Sequence, residues 1–261
     1  MDASMWVAKT GLDAQQTRLT VISNNLANVN TTGFKRDRAM FEDLLYQNVR
    51  QAGGQTAAAT QAPTGLMLGT GTRIVATEKI HAQGNMINTQ NALDIAIQGE
   101  GFFQIQQPDG TLAYTRDGTF KLSNTGQLVT NLGQPLVPAI AIPGNAASIT
   151  IGLDGVVSAE LFAGGGAQQL GQIQIARFIN PAGLTPLGDN LYKETVASGA
   201  AVVLNPNTAP AGQLRQGMLE ASNVNVVEEM VNMIETQRAY EVNSKAISAA
   251  DGMLRFLNNN L

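Results

Sequence analysis

An α+β fold is predicted for this 261-residue chain: a long helix at each end and a discontinuous, mainly β middle. Three observations predict it. Apolar residues recur every seven positions near both termini, period-two runs separated by Asp-Gly pairs fill the middle, and the two regimes are joined by a stretch nearly empty of large apolar side chains.

At the N-terminal end Met5, Leu12, Leu19 and Leu26 repeat in sevens, with Ala8, Gln15, Ile22 and Val29 three places behind. The two sets make an a/d seam of coiled-coil type, broken only by Gln15. The spacing predicts a helix over residues 4–28, roughly 35–40 Å long at about 1.5 Å per residue. It stops in Asn28-Val29-Asn30-Thr31-Thr32-Gly33, where Asn and Thr side chains compete for backbone bonds and Gly33 accepts a left-handed conformation. Next, Lys35-Arg36-Asp37-Arg38 is the one dense basic run and reads as a solvated linker or an interface. A second apolar-periodic stretch covers residues 34–46, with Met40, Phe41, Leu44 and Leu45. Residues 46–63, from Tyr46 through Gly53 and Gly54 to Pro63, are rich in Gln, Ala, Thr and Gly. Such a stretch buries too little surface to hold itself in place, so it is expected to be an extended β arm or a flexible loop.

From Gly71 onward strand signals dominate. Phe103–Gln106 and Gln172–Ile175 alternate with period two, and Asp109-Gly110, Asp117-Gly118 and Asp154-Gly155 read as hairpin turns of an antiparallel β-domain. The 27 glycines suit many tight turns. Asn225 with Glu228 three residues on forms a capping box that opens the last helix, expected over residues 226–257. Its seam is Val226, Met233, Tyr240, Ile247 and Leu254, with Gln237, Ser244 and Asp251 at the companion positions and Ala239, Ala246 and Met253 alongside. The expected organisation is a coiled-coil helical domain from residues 1–30 and 225–261. A connecting domain takes residues 31–91 and 208–224 and carries the arm, and a β-domain spans 92–207. Burying one apolar strip does not offset the entropy of ordering so long a helix. The two ends are therefore expected to fold against neighbouring copies rather than alone.

Composition excludes several classes. The net charge of −4 leaves no basic face for nucleic acid. With no cysteine there is no disulfide, thiolate nucleophile or zinc-thiolate site. No signal-peptide pattern and no membrane-spanning apolar run are visible. His81 is the single histidine and reads as a satisfied or surface side chain rather than a base. Gly69-Thr70-Gly71 and Gly99-Glu100-Gly101 continue into no phosphate-binding pattern and read as turns. Asp94, Glu100, Asp109 and Asp117 are the only candidates for the carboxylate pair of a periplasmic cell-wall hydrolase, and two of them belong to Asp-Gly turns. No catalytic, cofactor or metal residues are expected.

Asn24-Asn25-Leu26-Ala27-Asn28-Val29-Asn30-Thr31-Thr32-Gly33-Phe34-Lys35 resembles the N-terminal signature of bacterial flagellar rod and hook proteins. Within it Asn24, Asn25, Leu26, Asn28, Thr32, Gly33, Phe34 and Lys35 carry the match. Gly99-Glu100-Gly101-Phe102-Phe103 with Tyr114–Phe120 resembles the family's central motif, and residues 219–257 its C-terminal helix. The resemblance implies a self-polymerising structural subunit of the rod, exported through the flagellar type III apparatus without a cleaved signal, with the terminal helices as inner tube and the β-domain as outer tube. The arm after Phe41-Glu42-Asp43-Leu44-Leu45-Tyr46 points to the distal part of the rod; a proximal rod or hook subunit is the alternative. Implied partners are other copies of the chain, proximal rod proteins, hook protein, and the ring proteins of the peptidoglycan layer and outer membrane. The implied place is the basal body, across the periplasm to the outer membrane.

Overall fold

The computed structural model describes residues 3–53, 55–57, 60–61, 63–162 and 166–259. Helix α1 is Ala3–Ala27 and helix α2 is Val226–Asn259; between them the chain is almost wholly strands and turns. The α+β expectation holds, with the helix ends shifted by one or two residues. The chain divides into two compact units.

The first unit contains α1, α2 and residues 37–78. The α2 N-terminus is capped by Asn225, whose Oδ1 accepts from the Val227 amide at 3.1 Å, with Glu228 and Glu229 in the positive first turn. The two helices pack on each other. Their approach is close because Gly11 has no side chain; a Cβ there would lie 3.1 Å from the Asn243 amide nitrogen. The described residues of 37–78 form three successive antiparallel strand pairs, called here the ribbon. Asp37–Asp43 pairs with Thr72–Lys79, Gln47–Arg50 with Leu66–Leu68, and Gln55–Ala57 with Thr60–Gln61. The cross-strand ion pairs Arg38–Glu78 and Arg73–Glu42 run in opposite order along the two strands, as an antiparallel ribbon requires. The apolar-periodic stretch at 34–46 is thus a turn and a strand. Met40, Phe41, Leu44 and Leu45 are three-four spaced, but Thr72–Lys79, distant in sequence, supplies the partner strand for Asp37–Asp43. Within the arm Tyr46, Gly53 and Pro63 lie between the paired strands, and Gly54 lies outside the described residues.

The second unit holds residues 28–36 and 79–224. Its centre is Phe102–Gln106, which pairs antiparallel with Leu112–Thr115, Ile175–Arg177 and Leu136–Val137. The central strands of the seven-stranded sheet around it are buried on both faces. Phe103, Ile105, Ile175, Leu136 and Phe120 pack to one side, while Phe102, Tyr114, Ala176, Phe178 and Tyr192 pack to the other. Asp109-Gly110 and Asp154-Gly155 are hairpin turns, with φ of +82° at each glycine. Asp117-Gly118 is not. The strands on either side of it pair elsewhere, and Gly118 is needed because a Cβ would overlap the Ile95 carbonyl. Gln172–Ile175 is also no single strand; Gln168–Gln172 ends one sheet and Ile175–Arg177 begins another.

Candidate functional site

Two kinds of site stand out: an exposed, largely apolar surface, and a buried joint. The surface is on α2. Its face toward α1 carries Glu229, Met233, Thr236, Ala239, Asn243 and Ile247, buried or half-buried and largely polar or small. The opposite face is exposed and apolar toward its ends, with Arg238, Glu241 and Lys245 lying on it in between. Val227, Met230, Val231 and Ile234 follow i, i+3, i+4, i+7 spacing, and Val231, Val242 and Met253 recur every eleven residues, three turns apart. Exposure reaches 71% at Val227 and 70% at Phe256. The ribbon is similar, since Met40, Phe41, Leu45, Tyr46, Val49, Leu66, Met67, Leu68, Ile74 and Val75 are all exposed. An isolated two-stranded ribbon is marginal in water, and apolar side chains bare on it mark a contact surface. Of the seam residues singled out in the sequence, Ile22 is buried and Met5, Leu12, Leu19, Leu26, Met233 and Ile247 are half-buried. Val226, Tyr240 and Leu254 remain exposed.

The joint is the segment that follows α1. Asn25 clamps Asp37 with both halves of its amide: Nδ2 donates to the Asp37 carbonyl at 2.9 Å, and Oδ1 accepts from the Asp37 amide at 2.8 Å. Asn24 reaches the Asp37 carboxylate at 3.4 Å, and Asn28 accepts from the Thr31 hydroxyl at 3.1 Å. Thr32 donates to Asp117 at 3.0 Å. Gly33 stands at φ +68°, with its amide on the Glu220 carbonyl at 2.8 Å; a Cβ would come within 2.7 Å of the Asp117 amide nitrogen. Phe34 is buried.

Lys35 is wholly buried, so the reading of the basic run as a solvated linker or an interface fails for its first residue, while Arg38 is exposed. Its ammonium donates to Glu220 Oε1 at 2.5 Å and to the Ala82 carbonyl at 2.8 Å. Arg116, 4% exposed, donates to Glu220 Oε2 at 3.3 Å and to the Gly99 carbonyl at 2.9 Å. One carboxylate thus serves two buried cations. Burial lowers the pKa of Lys35, the Arg116 charge adds to that, and Glu220 opposes it. The sequence offered a weak signal for this node: Glu220 is a lone acid in the apolar run Met218–Ala221, and Lys35 ends a motif of turn residues.

His81 is neither satisfied nor on the surface. Its ring packs edge-on against Phe102 and Tyr192, centroids 5.5 Å away in each case, and both nitrogens are sealed without a hydrogen bond of good geometry. Burial, then the charges of Lys35, Arg116 and Lys79, push its pKa down to about 4. The unfolded chain binds this proton near the ordinary value of 6.5, so acid favours unfolding. Stability is unaffected above about pH 6.5 and falls by about 1.4 kcal/mol per unit to about pH 4, a loss of roughly 3 kcal/mol. His81→Leu is expected to flatten that part of the stability–pH curve, read by urea unfolding between pH 4 and 7.

The acidic residues are held in local structure. Asp94 accepts from Asn91 at 3.0 Å, Glu100 pairs with Arg177 at 2.7 Å, and Asp109 and Asp117 accept from Thr111 and Thr119. Among the described residues no three His, Asp or Glu side chains converge to hold a metal ion, and no helix is long and apolar enough to cross a membrane.

Three family models match the chain: the flagellar basal body rod protein at residues 5–35, the D1 domain of flagellar hook protein FlgE/F/G at 96–159, and the C-terminal region of basal body rod FlgEFG proteins at 215–260. The flagellar basal-body rod protein FlgG of Buchnera aphidicola from Acyrthosiphon pisum is 55% identical over 257 residues, spanning 98% of this chain and 99% of its own. This chain belongs to the flagellar rod and hook family. The flagellar basal-body rod protein FlgG of Borreliella burgdorferi is 49% identical over 261 residues, 99% of this chain and 98% of its own. That of Bacillus subtilis is 42% identical over 262 residues, 98% of each. The family is structural and not enzymatic, the likeness is to its distal rod members, and its place is the flagellar basal body. Within the rod and hook family's N-terminal signature, the matched span 5–35 covers α1 and the joint, ending on Lys35. The span 215–260 begins just before Glu220 and takes in α2.

Proposed function

We propose that this chain is the distal rod subunit, built to polymerise into a rigid, hollow, helical tube that carries motor torque to the hook and houses the export channel. One observation carries the proposal: the bare apolar face of α2, which lies opposite the face packed on α1. A second copy is the natural cover for it, because the family self-assembles. The terminal helices, pairing as a coiled coil through Met5, Leu12, Leu19, Ile22, Leu26, Val226, Met233, Tyr240, Ile247 and Leu254, form the inner tube. In this reading Val226, Tyr240 and Leu254 contact neighbouring copies. Residues 31–91 and 208–224 serve as the connecting domain and 92–207 as the outer one. The motif residues Asn24, Asn25, Asn28, Thr32, Gly33, Phe34 and Lys35 hold the turn between helix and ribbon, as their hydrogen bonds and burial support.

The ribbon, including the arm at 46–63, lies along an adjacent subunit and stops the sliding that bending requires. Its bare apolar side chains and small residues suit pairing along another surface. Further partners in this reading are proximal rod proteins, hook protein, the peptidoglycan-layer and outer-membrane rings, and the type III export apparatus, which takes the chain across without cleaving a signal. Deleting residues 46–63 is expected to give rods that still polymerise but curve like a hook; electron microscopy reads the curvature. Straight, stiff rods from the deletion variant would refute the ribbon's role.

A further inference from the structure

Beside the Lys35–Glu220–Arg116 node lies a cavity of about 140 Å³ that the assembly role leaves unused. His81, Glu100, Phe102, Arg116, Arg177 and Ile179 line it. Its mouth is open, with Ile179 83% exposed and the Arg177 side chain 36% exposed. Its inner wall is short of acceptors. The Arg116 Nε is buried without a hydrogen-bond partner, and neither buried His81 nitrogen makes a hydrogen bond of good geometry. A buried donor without an acceptor is costly, and Arg116 is among the most deeply buried charges in the chain. The charge balance points the same way. Arg116 and Arg177 line the cavity with Glu100 as its acid, Lys35 and Glu220 stand behind it, and the strongest electrostatic influences on His81 come from cations. Glu220 is already shared by two partners, and Glu100, whose side chain is 68% exposed, is held only at the rim by Arg177.

We propose that this cavity is a binding site for a small oxyanion, a carboxylate or phosphate group, taken between Arg116 Nε and the Arg177 guanidinium with His81 at its edge. Guanidinium groups suit this ligand because their N–H donors are planar and directed. Glu100 competes for Arg177 and would swing outward when the anion enters. Two sources share this chemistry: a free anion, and a side-chain carboxylate of a neighbouring copy.

The single histidine makes the test direct. With ¹³C,¹⁵N-histidine in the full chain kept dilute at pH 7, the His81 ring resonances are followed as sodium phosphate or sodium acetate replaces sodium chloride at constant ionic strength. The expected result is a saturable shift with at least one of the two anions. Arg177→Ala should weaken the apparent affinity at least tenfold, and Glu100→Gln should tighten it by removing the competing carboxylate. A merely structural rim pair would predict no tightening in Glu100→Gln. Absence of a saturable shift, or equal affinity in Arg177→Ala and wild type, overturns the proposal. In assembled rods without added anion, solid-state spectra with His81 already at the bound position identify the neighbour's carboxylate as the ligand. Spectra at the free position that move on adding phosphate identify the soluble anion.

Discussion

Glu220→Ala is expected to destabilise the β unit by about 3–5 kcal/mol, the cost of leaving buried charge without its partner. The two orphaned cations, Lys35 and Arg116, are 0% and 4% exposed and would then face each other with no carboxylate between them. The substitution also removes the acceptor of the Gly84 amide, bonded to Glu220 Oε1 at 2.9 Å. Lys35→Met should cost clearly less, because it takes away one of two cations and leaves Arg116 and Glu220 as a matched pair. The order of the two effects is the decisive point: removing the acid hurts more than removing the lysine. Urea unfolding followed by tyrosine fluorescence or near-ultraviolet circular dichroism reads both. At a few degrees of Tm per kcal/mol, Glu220→Ala should melt on the order of 10 °C below wild type.

Val231→Asp or Ile234→Asp is expected to abolish assembly while leaving the unfolding of the β unit unchanged. Both side chains are about half exposed in the single chain, so a carboxylate there stays hydrated in the monomer. In a polymer that covers the stripe, it must be desolvated against apolar partners at several kcal/mol per contact. Every 1.4 kcal/mol is a factor of ten, so the concentration needed to polymerise should rise by at least about 100-fold. Sedimentation and electron microscopy over a concentration series measure it.

Much of this was legible in the sequence, for reasons that differ by element. Both helices follow from seven-residue periodicity and from the Asn225 cap, signals that local chemistry carries. The hairpins at Gly110 and Gly155 follow from a residue type that positive φ selects. Gly118 looked the same and is not, because its requirement comes from Ile95, distant in sequence, rather than from its own turn. The packed face of α2 was legible only in part. Of its heptad residues Met233 and Ile247 are half-buried beside Glu229, Thr236 and Asn243, while Val226, Tyr240 and Leu254 are exposed in the single chain, and the second apolar set that begins at Val227, Met230, Val231 and Ile234 was not read. Periodicity says that a face exists, not what covers it. The buried node was hidden most thoroughly. Lys35, Arg116 and Glu220 are spread across the chain, and a charged residue in sequence is normally on the surface.

Hydrogen exchange by element, compared between dilute chain and assembled rods, tests most directly whether the two helices and the ribbon are surfaces completed by other copies. In the dilute chain the amides of α1, α2 and residues 37–78 should exchange orders of magnitude faster than those of Phe102–Gln106 and its neighbouring strands. In rods all should be strongly protected. Protection of α2 and the ribbon in the dilute chain equal to that in rods would contradict the assembly role assigned to them.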